Sequence, residues 1–388
     1  MEKLIDLQKR LSPHQLKKML HEEKKTVLFC PLDWGLGHIA RDLPLIREFS
    51  RNGHRVIVAA SEKLRQWLHA EEPGIETVFF EGPEVHYSGK QGAFLKVLLQ
   101  LPGLLQWPAK EKKRIKELVS IYHPQLIISD NRYGARHQKV FSVLITHQLC
   151  IKLPKCLKWG EYPLYLLVKQ SIKRFDQCWV PDFPKNNSLA GDLVHKYPLP
   201  SNALLTGPLS RFDGISADHN NIKSKKAVLG ILSGPEPQRS LFENLLTQVL
   251  KKHPGQHTLL TGKTPSDMSS NETSGPVLLN HQPTSEMARL IREHRLIISR
   301  SGYSTIMDMY FLKKNILIVP TPGQPEQEYL ATHHDQKNHK KILQSQIPET
   351  DFSKTTPPDA IRPMEKSPLN FRSVLNTYLQ KAEKQKKI

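Results

Sequence analysis

Short apolar runs alternate with amphipathic stretches along most of the chain. In the first half "TVLFC", "RVIVAA", "ETVFF", "LIISD", "SVLIT" and "QCWV" have the length and β-branched character of strands, and the segments between them carry apolar residues at helical spacing. From Gly207 the pattern pauses. "GPLSRFDGISADHNNIKSK" is rich in turn formers and polar residues and is expected to be a linker. The alternation then restarts with "KAVLGIL", "HTLL", "PVLL", "LIISR" and "NILIVP". Strands alternating with helices predict parallel sheets covered by helices, here an α/β chain of two Rossmann-like, doubly wound domains facing a cleft. The expected boundaries are a helical extension at 1–25, a first domain at 26–206, the linker at 207–225, a second domain at 226–350 and a helical tail at 351–388. Ligands of such sheets bind beyond the carboxyl ends of the strands, so chemistry is expected in the loops after each run.

Composition narrows the partners. A chain of 388 residues is too long for one compact core, in keeping with two domains. Lys and Arg number 56 against 37 Asp and Glu, a formal net charge of +19. That balance favours an anionic partner: nucleic acid, acidic lipid or a phosphorylated substrate. Cys30, Cys150, Cys156 and Cys178 form no C-x-x-C pair and are expected to be buried, reduced thiols of a cytosolic protein. The first 25 residues are too charged for a secretory signal, and no apolar run reaches the roughly 18 residues of a bilayer span.

The loop after the first run, "PLDWGLGHIARDLPLIREF", raises the first chemical question. Gly35 and Gly37 let the backbone approach a ligand, and a helix starting near His38 points free N–H groups at an anion. With Ala40 they match the dinucleotide pattern G-x-G-x-x-A. The second run, however, ends in Ser61, with Glu62 one residue later than the acid a nicotinamide enzyme places there. Asp33 would repel a pyrophosphate, and His38 could move a proton. From these residues alone, a ligand-free turn, a dinucleotide site and a different anion site all stay open.

A second informative stretch is "LIISRSGYSTIMDMYFLKKNILIVPTPGQPEQEYLA". Ser299, Arg300, Ser301 and Gly302 sit where a strand turns into a helix, and supply donors and a cation at a helix N-terminus. Asp308 follows Ser301 by seven residues, about two helical turns, and so shares its face. It could accept both hydroxyls of a ribose. Gln324, Gln327 and Glu328 open the next helix, where amides and a carboxylate could bind sugar hydroxyls, or serve as caps.

Taken together, "GLGH", "SRSGYSTIMD" and "PGQPEQEY" resemble the glycosyltransferase family 28 pattern typified by MurG, the peptidoglycan N-acetylglucosaminyltransferase, over most of residues 26–350. The resemblance implies the two-domain GT-B fold, a nucleotide-sugar donor held mainly by the second domain, and inversion at the anomeric carbon without an essential metal. It assigns Ser301 and Gly302 to the donor diphosphate, with Arg300 beside them. Asp308 stands where the family usually has a ribose-binding glutamate. Gln327 and Glu328, with Gln324 nearby, fall at the sugar-contacting positions. Ser233 and Gly234 in "ILSGPEPQ" match part of a glycine-rich donor loop, although the prolines that follow depart from it. In the first domain Gly35, Gly37, Arg41, Asp130, Asn131, Arg132, His147 and Gln148 are the acceptor-side candidates.

The reaction requires a base for the acceptor hydroxyl. His38 is the first choice and Asp33 the second. The leaving diphosphate would be stabilised by the helix start at Ser301 and by Arg300. No D-x-D motif occurs, and "THHDQKNH" lacks the i, i+4 histidine pair of a helical zinc site, so no metal site is expected and that segment is read as solvated. The implied co-substrate is a UDP-sugar, UDP-N-acetylglucosamine by resemblance, with no tightly bound cofactor. "FLKVLLQLPGLLQW", Phe94 to Trp107, is either a core helix or an anionic-membrane surface, and so is "YPLYLLVKQSIKRF"; apolar periodicity does not separate the two. The surface reading would make the acceptor a lipid-linked or envelope glycan and the protein cytoplasmic, peripheral at the inner membrane face. An NAD(P)-dependent oxidoreductase, a basic nucleic-acid-binding protein and a non-catalytic sugar-nucleotide sensor are the rival readings. Nucleic acid is not expected, because no zinc finger or interleaved basic and aromatic RNA-binding motif occurs.

Overall fold

A computed structural model describes residues 24–82, 93–215, 226–234, 236–262, 275–335, 337 and 339–356, without the side chains of 93–106. The expected N-terminal extension, apart from its last two residues, the second half of the linker and most of the tail lie outside the described residues.

Strands β1 (Thr26–Pro31), β2 (Arg55–Ala60), β3 (Glu76–Phe79), β4 (Leu126–Asp130), β5 (Phe141–Ile145), β6 (Gln177–Val180) and β7 (Ala203–Leu205) form one sheet in the order β3-β2-β1-β4-β5-β6-β7. Strands β8 (Lys226–Ile231), β9 (Thr258–Leu260), β10 (Val277–Leu279), β11 (His294–Arg300), β12 (Leu317–Val319) and β13 (Lys340–Lys341) form a second, ordered β10-β9-β8-β11-β12-β13. Every pairing in both sheets is parallel. Helices α1 (Leu36–Arg51), α2 (Glu62–Glu71), α3 (Ala93–Tyr122), α4 (Glu161–Ile172), α5 (Asp192–His195), α6 (Gln238–Leu250), α7 (Thr284–Glu293), α8 (Tyr303–Leu312) and α9 (Pro325–His334) lie between the strands in sequence. Because helices cover both faces of a parallel sheet, β4 and β5 are buried at every position, which is why their runs are continuously apolar rather than alternating.

Strand order reverses between β1 and β4 in the first sheet and between β8 and β11 in the second. Loops diverge at such switch points and open a crevice. The register pairs Pro31 with Asp130, and Ile231 with Ser299, so the β1 and β4 loops leave the first sheet together, as do the β8 and β11 loops in the second.

Helix α1 forms because Ile39, Leu43 and Ile46 recur on one face and pack on Val27, Phe29 and Val58. A further buried cluster joins the two sheets through Leu144 and Val180 on one side, Leu229 and Ile297 on the other, and Phe212, Tyr303 and Ile306 between them. Phe212 belongs to the segment expected as a polar linker. Leu209, Ser210, Arg211 and Phe212 are instead buried, Leu209 in the core of the first sheet and Phe212 in the cluster that joins the two sheets. Burial of Phe212 alone contributes about 2 kcal/mol.

The histidine segment also differs from its expectation as a solvated stretch. His334 and His339 are buried; His334 Nε2 donates to the Leu189 carbonyl at 2.8 Å, and Ile316 N–H donates to His339 Nδ1 at 3.3 Å. Burial pushes their imidazoles down to about 3 and about 4, so both are packed as neutral rings. The apolar stretch Phe94–Trp107 lies within the 30-residue helix α3, although its side chains up to 106 are outside the described residues. Among the described residues no helix is long and apolar enough to cross a membrane.

Candidate functional site

The site begins at the first switch point. Gly35 precedes α1 with φ of 110° and ψ of 177°, a conformation open to glycine and closed to side-chain-bearing residues. This turn delivers His38 into the first turn of α1, while β4 delivers Asp130. His38 Nδ1–H donates to Asp130 Oδ1 at 3.0 Å, and His38 keeps 16% of its side chain exposed. Arg41, one turn along, holds the same carboxylate with both arms of its guanidinium: Nε donates to Oδ2 at 2.6 Å and Nη2 to Oδ1. Burial alone would raise the Asp130 carboxyl, but Arg41 and His38 hold it well below the usual carboxylate range. Asp130 is therefore an anion that accepts from Nδ1–H, which leaves the lone pair of His38 on Nε2.

From Arg41 the network crosses to the second sheet. Arg41 Nη1 donates to His147 Nδ1 at 2.9 Å, and His147 Nε2–H donates to Glu326 Oε1 at 3.2 Å. Gln148 donates to the other Glu326 oxygen. Burial lowers His147 and keeps it neutral, while its ring stacks on Tyr303 with centroids 4.4 Å apart. Burial would raise Glu326, but His147 and Gln148 bring it below the usual range. Arg41, Asp130, His147 and Gln148, expected on the acceptor side, thus form one relay ending on Glu326 of α9. Asp42, next to Arg41, is fully buried and no donor reaches either of its oxygens. Burial first, then the Asp130 charge, push it well above the ordinary value, so a neutral acid stands beside an ionised one.

The second switch point faces this pair. Gly302 caps α8, whose first-turn amides have no partner within the helix, and a Cβ on Gly302 would meet nothing within 4 Å. Ser304 Oγ donates to the Gly37 carbonyl at 3.1 Å, bringing the two helix starts together. A Cβ on Gly37 would lie 2.9 Å from that Oγ, so this glycine is required by close approach. Ser233 and Gly234 follow β8 beside the same crevice. The Asp308 carboxylate accepts from Ser210 Oγ at 2.6 Å; burial pushes it up to about 6, against the pull of Arg211 and Ser210.

Other expected residues are engaged elsewhere. Arg300, expected beside the donor diphosphate, is buried, its guanidinium 4.1 Å from the Phe242 ring centroid and donating to the Pro320 and Gln238 carbonyls at 3.3 and 3.2 Å. Ser301 Oγ turns inward to the Gln327 carbonyl at 2.9 Å, leaving backbone rather than hydroxyl to offer a ligand. The Gln327 side chain accepts from Thr321 N–H and Oγ1 at 3.0 and 2.9 Å, and Glu328 accepts from Gly323 N–H at 2.9 Å, so both brace the turn before α9. Gln324 Oε1, by contrast, is buried without a hydrogen-bond partner.

In the first sheet Arg132 is buried over the Phe80 ring and donates to the Glu81 carbonyl at 3.0 Å, so it supports the loop after β3. Asp33 lies near Arg132, whose cation feels its charge. Asn131, with φ of 53°, makes the turn out of β4 and donates its N–H to the Ile145 carbonyl at 3.0 Å. The sequence reading passed over Asp42, Tyr303 and Glu326. Tyr303, inside "SRSGYSTIMD", and Glu326, inside "PGQPEQEY", lay within motifs that carried a signal; Asp42 did not. Among the described residues no group of three or more His, Cys, Asp or Glu is arranged to hold a metal.

Residues 236–385 match the Glycosyltransferase family 28 C-terminal domain. A protein of Methanosarcina acetivorans, described as an uncharacterized glycosyltransferase, is 26% identical over 321 residues, 77% of this chain and 78% of its own. Among solved structures, the spinosyn rhamnosyltransferase SpnG superposes with a TM-score of 0.55 at 13% identity, covering 92% of this chain and 96% of its own. Arabidopsis thaliana UGT89C1, complexed with UDP-L-rhamnose, gives 0.52 at 12% identity, covering 93% and 94%. The two parallel sheets thus have the GT-B glycosyltransferase fold, and the family match and the Methanosarcina acetivorans relative support a glycosyltransferase.

Proposed function

We propose that this chain is an inverting glycosyltransferase that moves a sugar from a nucleotide-sugar donor to an acceptor hydroxyl, with His38 as the base. The observation that carries the reading is the approach of the two helix starts. The His38 and Asp130 pair stands at the first switch point, and the Ser304 to Gly37 bond sets the N-terminus of α8 against it. The acceptor oxygen attacks the anomeric carbon as the bond to the diphosphate oxygen breaks, and its proton passes to His38 Nε2. Asp130 stabilises the imidazolium that forms. The charge growing on the diphosphate falls on the first-turn amides of α8, with no metal needed for that role. Asp308 accepts the ribose hydroxyls and Gln324 a sugar hydroxyl.

The donor is a UDP-sugar, with N-acetylglucosamine suggested by the sequence resemblance. Fold relatives described as bound to thymidine diphosphate and to UDP-L-rhamnose support a nucleoside diphosphate donor and widen the panel to be tried. The acceptor is a lipid-linked or envelope glycan, and the protein a peripheral one at the inner face of the cytoplasmic membrane, a reading supported by the apolar and then basic sequence of α3. Dinucleotide oxidation is not favoured, because the glycine turn leads to a bonded His38 and Asp130 pair while the family match falls in the second half.

Sugar release or transfer from UDP-N-acetylglucosamine, UDP-rhamnose and dTDP-linked sugars, with membrane extract as acceptor, tests the proposal. Turnover that His38→Gln abolishes while donor binding persists is expected. Absence of turnover with every donor, or turnover unaffected by His38→Gln, would overturn it.

A further inference from the structure

The loop after β1 is packed on one side and open on the other. Leu32 is buried, and Asp33 is wedged against the loop after β3: a Cβ on Gly82 would lie 2.6 Å from the Asp33 Cβ and 2.9 Å from Arg132 Nη2. Arg132 is tied to the Phe80 and Glu81 carbonyls, and Ser129 Oγ donates to the Arg132 carbonyl at 2.6 Å. The segment is therefore held from beneath before any ligand arrives. Trp34, the next residue, is 42% exposed. A Cβ on Gly35 would meet nothing within 4 Å, nor would one on Gly302, so both helix starts border open space.

A single exposed apolar side chain is ordinary, but the position of this one is not. Among the described residues, Trp34 is the one exposed large apolar side chain in the loops that leave β1, β4, β8 and β11, the strands of the two switch points. It precedes His38 by four residues. That length of chain spans at most about 14 Å, so indole and imidazole can meet one ligand of one or two sugar rings.

The chemistry of the indole identifies that ligand. Its face is flat and apolar and attracts partial positive charge. A pyranose ring is the complement, with slightly positive C–H bonds gathered on one face and hydroxyls around its edge. The neighbours of Trp34 suit the edge. Asp33 places a half-buried carboxylate before it, and Asn131, in the loop that leaves the sheet alongside, keeps Oδ1 without a hydrogen-bond partner. A lipid chain or a polycyclic aglycone would need apolar surface continuing past the indole, and among the described residues these loops expose none.

We propose that Trp34 is the platform on which the acceptor's reacting sugar ring stacks, so that the acceptor is recognised by its terminal pyranose rather than by a lipid or a flat aromatic group. The assignment rests on the transferase reading above and narrows its acceptor. A ring held by its apolar face presents an edge hydroxyl to His38 Nε2, and the bracing of the loop spares the cost of ordering the platform on binding.

Saturation-transfer NMR on the full chain in the presence of UDP tests this. The sugar probes are the methyl β-glycosides of N-acetylglucosamine and galactose; octanol and naphthol are the apolar and planar ones. A glycoside should bind, with saturation strongest on the C–H protons of one ring face. Trp34→Ala should weaken it about tenfold or more, and Trp34→Tyr should keep most of the binding. Trp34 is exposed, so both variants should fold, and UDP affinity in the same samples reports that they do. No glycoside binding by the UDP-bound wild type, equal binding by Trp34→Ala, or a preference for octanol or naphthol would overturn the platform while leaving the transferase reading in place. Failure of the wild type to bind UDP would overturn both.

Discussion

His38 Nδ1 lies 3.0 Å from Asp130 Oδ1, across 92 residues of sequence, because the switch point places the β1 and β4 loops side by side. Asp130 cannot perform this role alone. Arg41 binds both of its oxygens, so the carboxylate stays ionised although it is fully buried.

His38→Gln should therefore lower turnover by about 10²- to 10⁴-fold, the range expected for loss of a general base, with donor affinity changed less than about twofold. Asp130→Asn should lower turnover as well, and also cost about 3 kcal/mol of stability by leaving Arg41 buried and unpaired. Comparing single-turnover rates with chemical denaturation separates the two effects.

Asp308 gives a pH test. Its carboxyl holds a proton up to about pH 6 in the folded chain, against an ordinary value of 3.8. The folded state thus binds that proton more tightly than the unfolded state. This contribution to stability is present below about pH 4 and is lost as pH rises through about 6; Asp308→Asn should flatten that slope. Donor affinity should move the other way, rising through pH 6 as the carboxylate ionises to accept the ribose hydroxyls. A nucleotide sugar is the ligand to titrate, because its diphosphate does not ionise in this range.

Arg300→Met should behave as a core substitution. It leaves the Pro320 and Gln238 carbonyls without their donor and removes a cation from over Phe242, at a cost of about 2 kcal/mol or more. Nucleotide affinity of the folded fraction should stay within about threefold. Thermal melts alongside calorimetry at low temperature would expose a selective loss of binding.

Gly37→Ala should weaken both the fold and turnover, because the new methyl would lie 2.9 Å from Ser304 Oγ. Adding Ser304→Gly should recover part of the loss. A double-mutant cycle with additive effects would show that the two helix starts do not press on each other.

Eleven of the thirteen strands were legible as apolar runs. β7 and β13, at three and two residues, are edge strands too short to leave a pattern. Glycine and histidine in "GLGH" located the first switch point, since few residues other than glycine adopt the φ found at Gly35. The wiring was not legible. Whether Arg300 turns to a ligand or to Phe242 depends on which face of β11 it occupies, and a strand buried on both faces carries no alternation to reveal it. Glu326 and Glu328 sit two positions apart on one helix, and only the arrival of His147 and Gln148 from the other sheet distinguishes a cleft residue from a cap.

Calorimetric titration of UDP, UDP-N-acetylglucosamine, UDP-rhamnose, dTDP and NADH into the wild type, Asp308→Ala and His38→Gln is the most direct trial of nucleotide-sugar chemistry at this cleft. A nucleoside diphosphate or its sugar should bind the wild type and His38→Gln alike, and Asp308→Ala about tenfold or more weaker, as expected for loss of charged hydrogen bonds. Binding of NADH alone, of nothing, or an equal loss in both variants would contradict it.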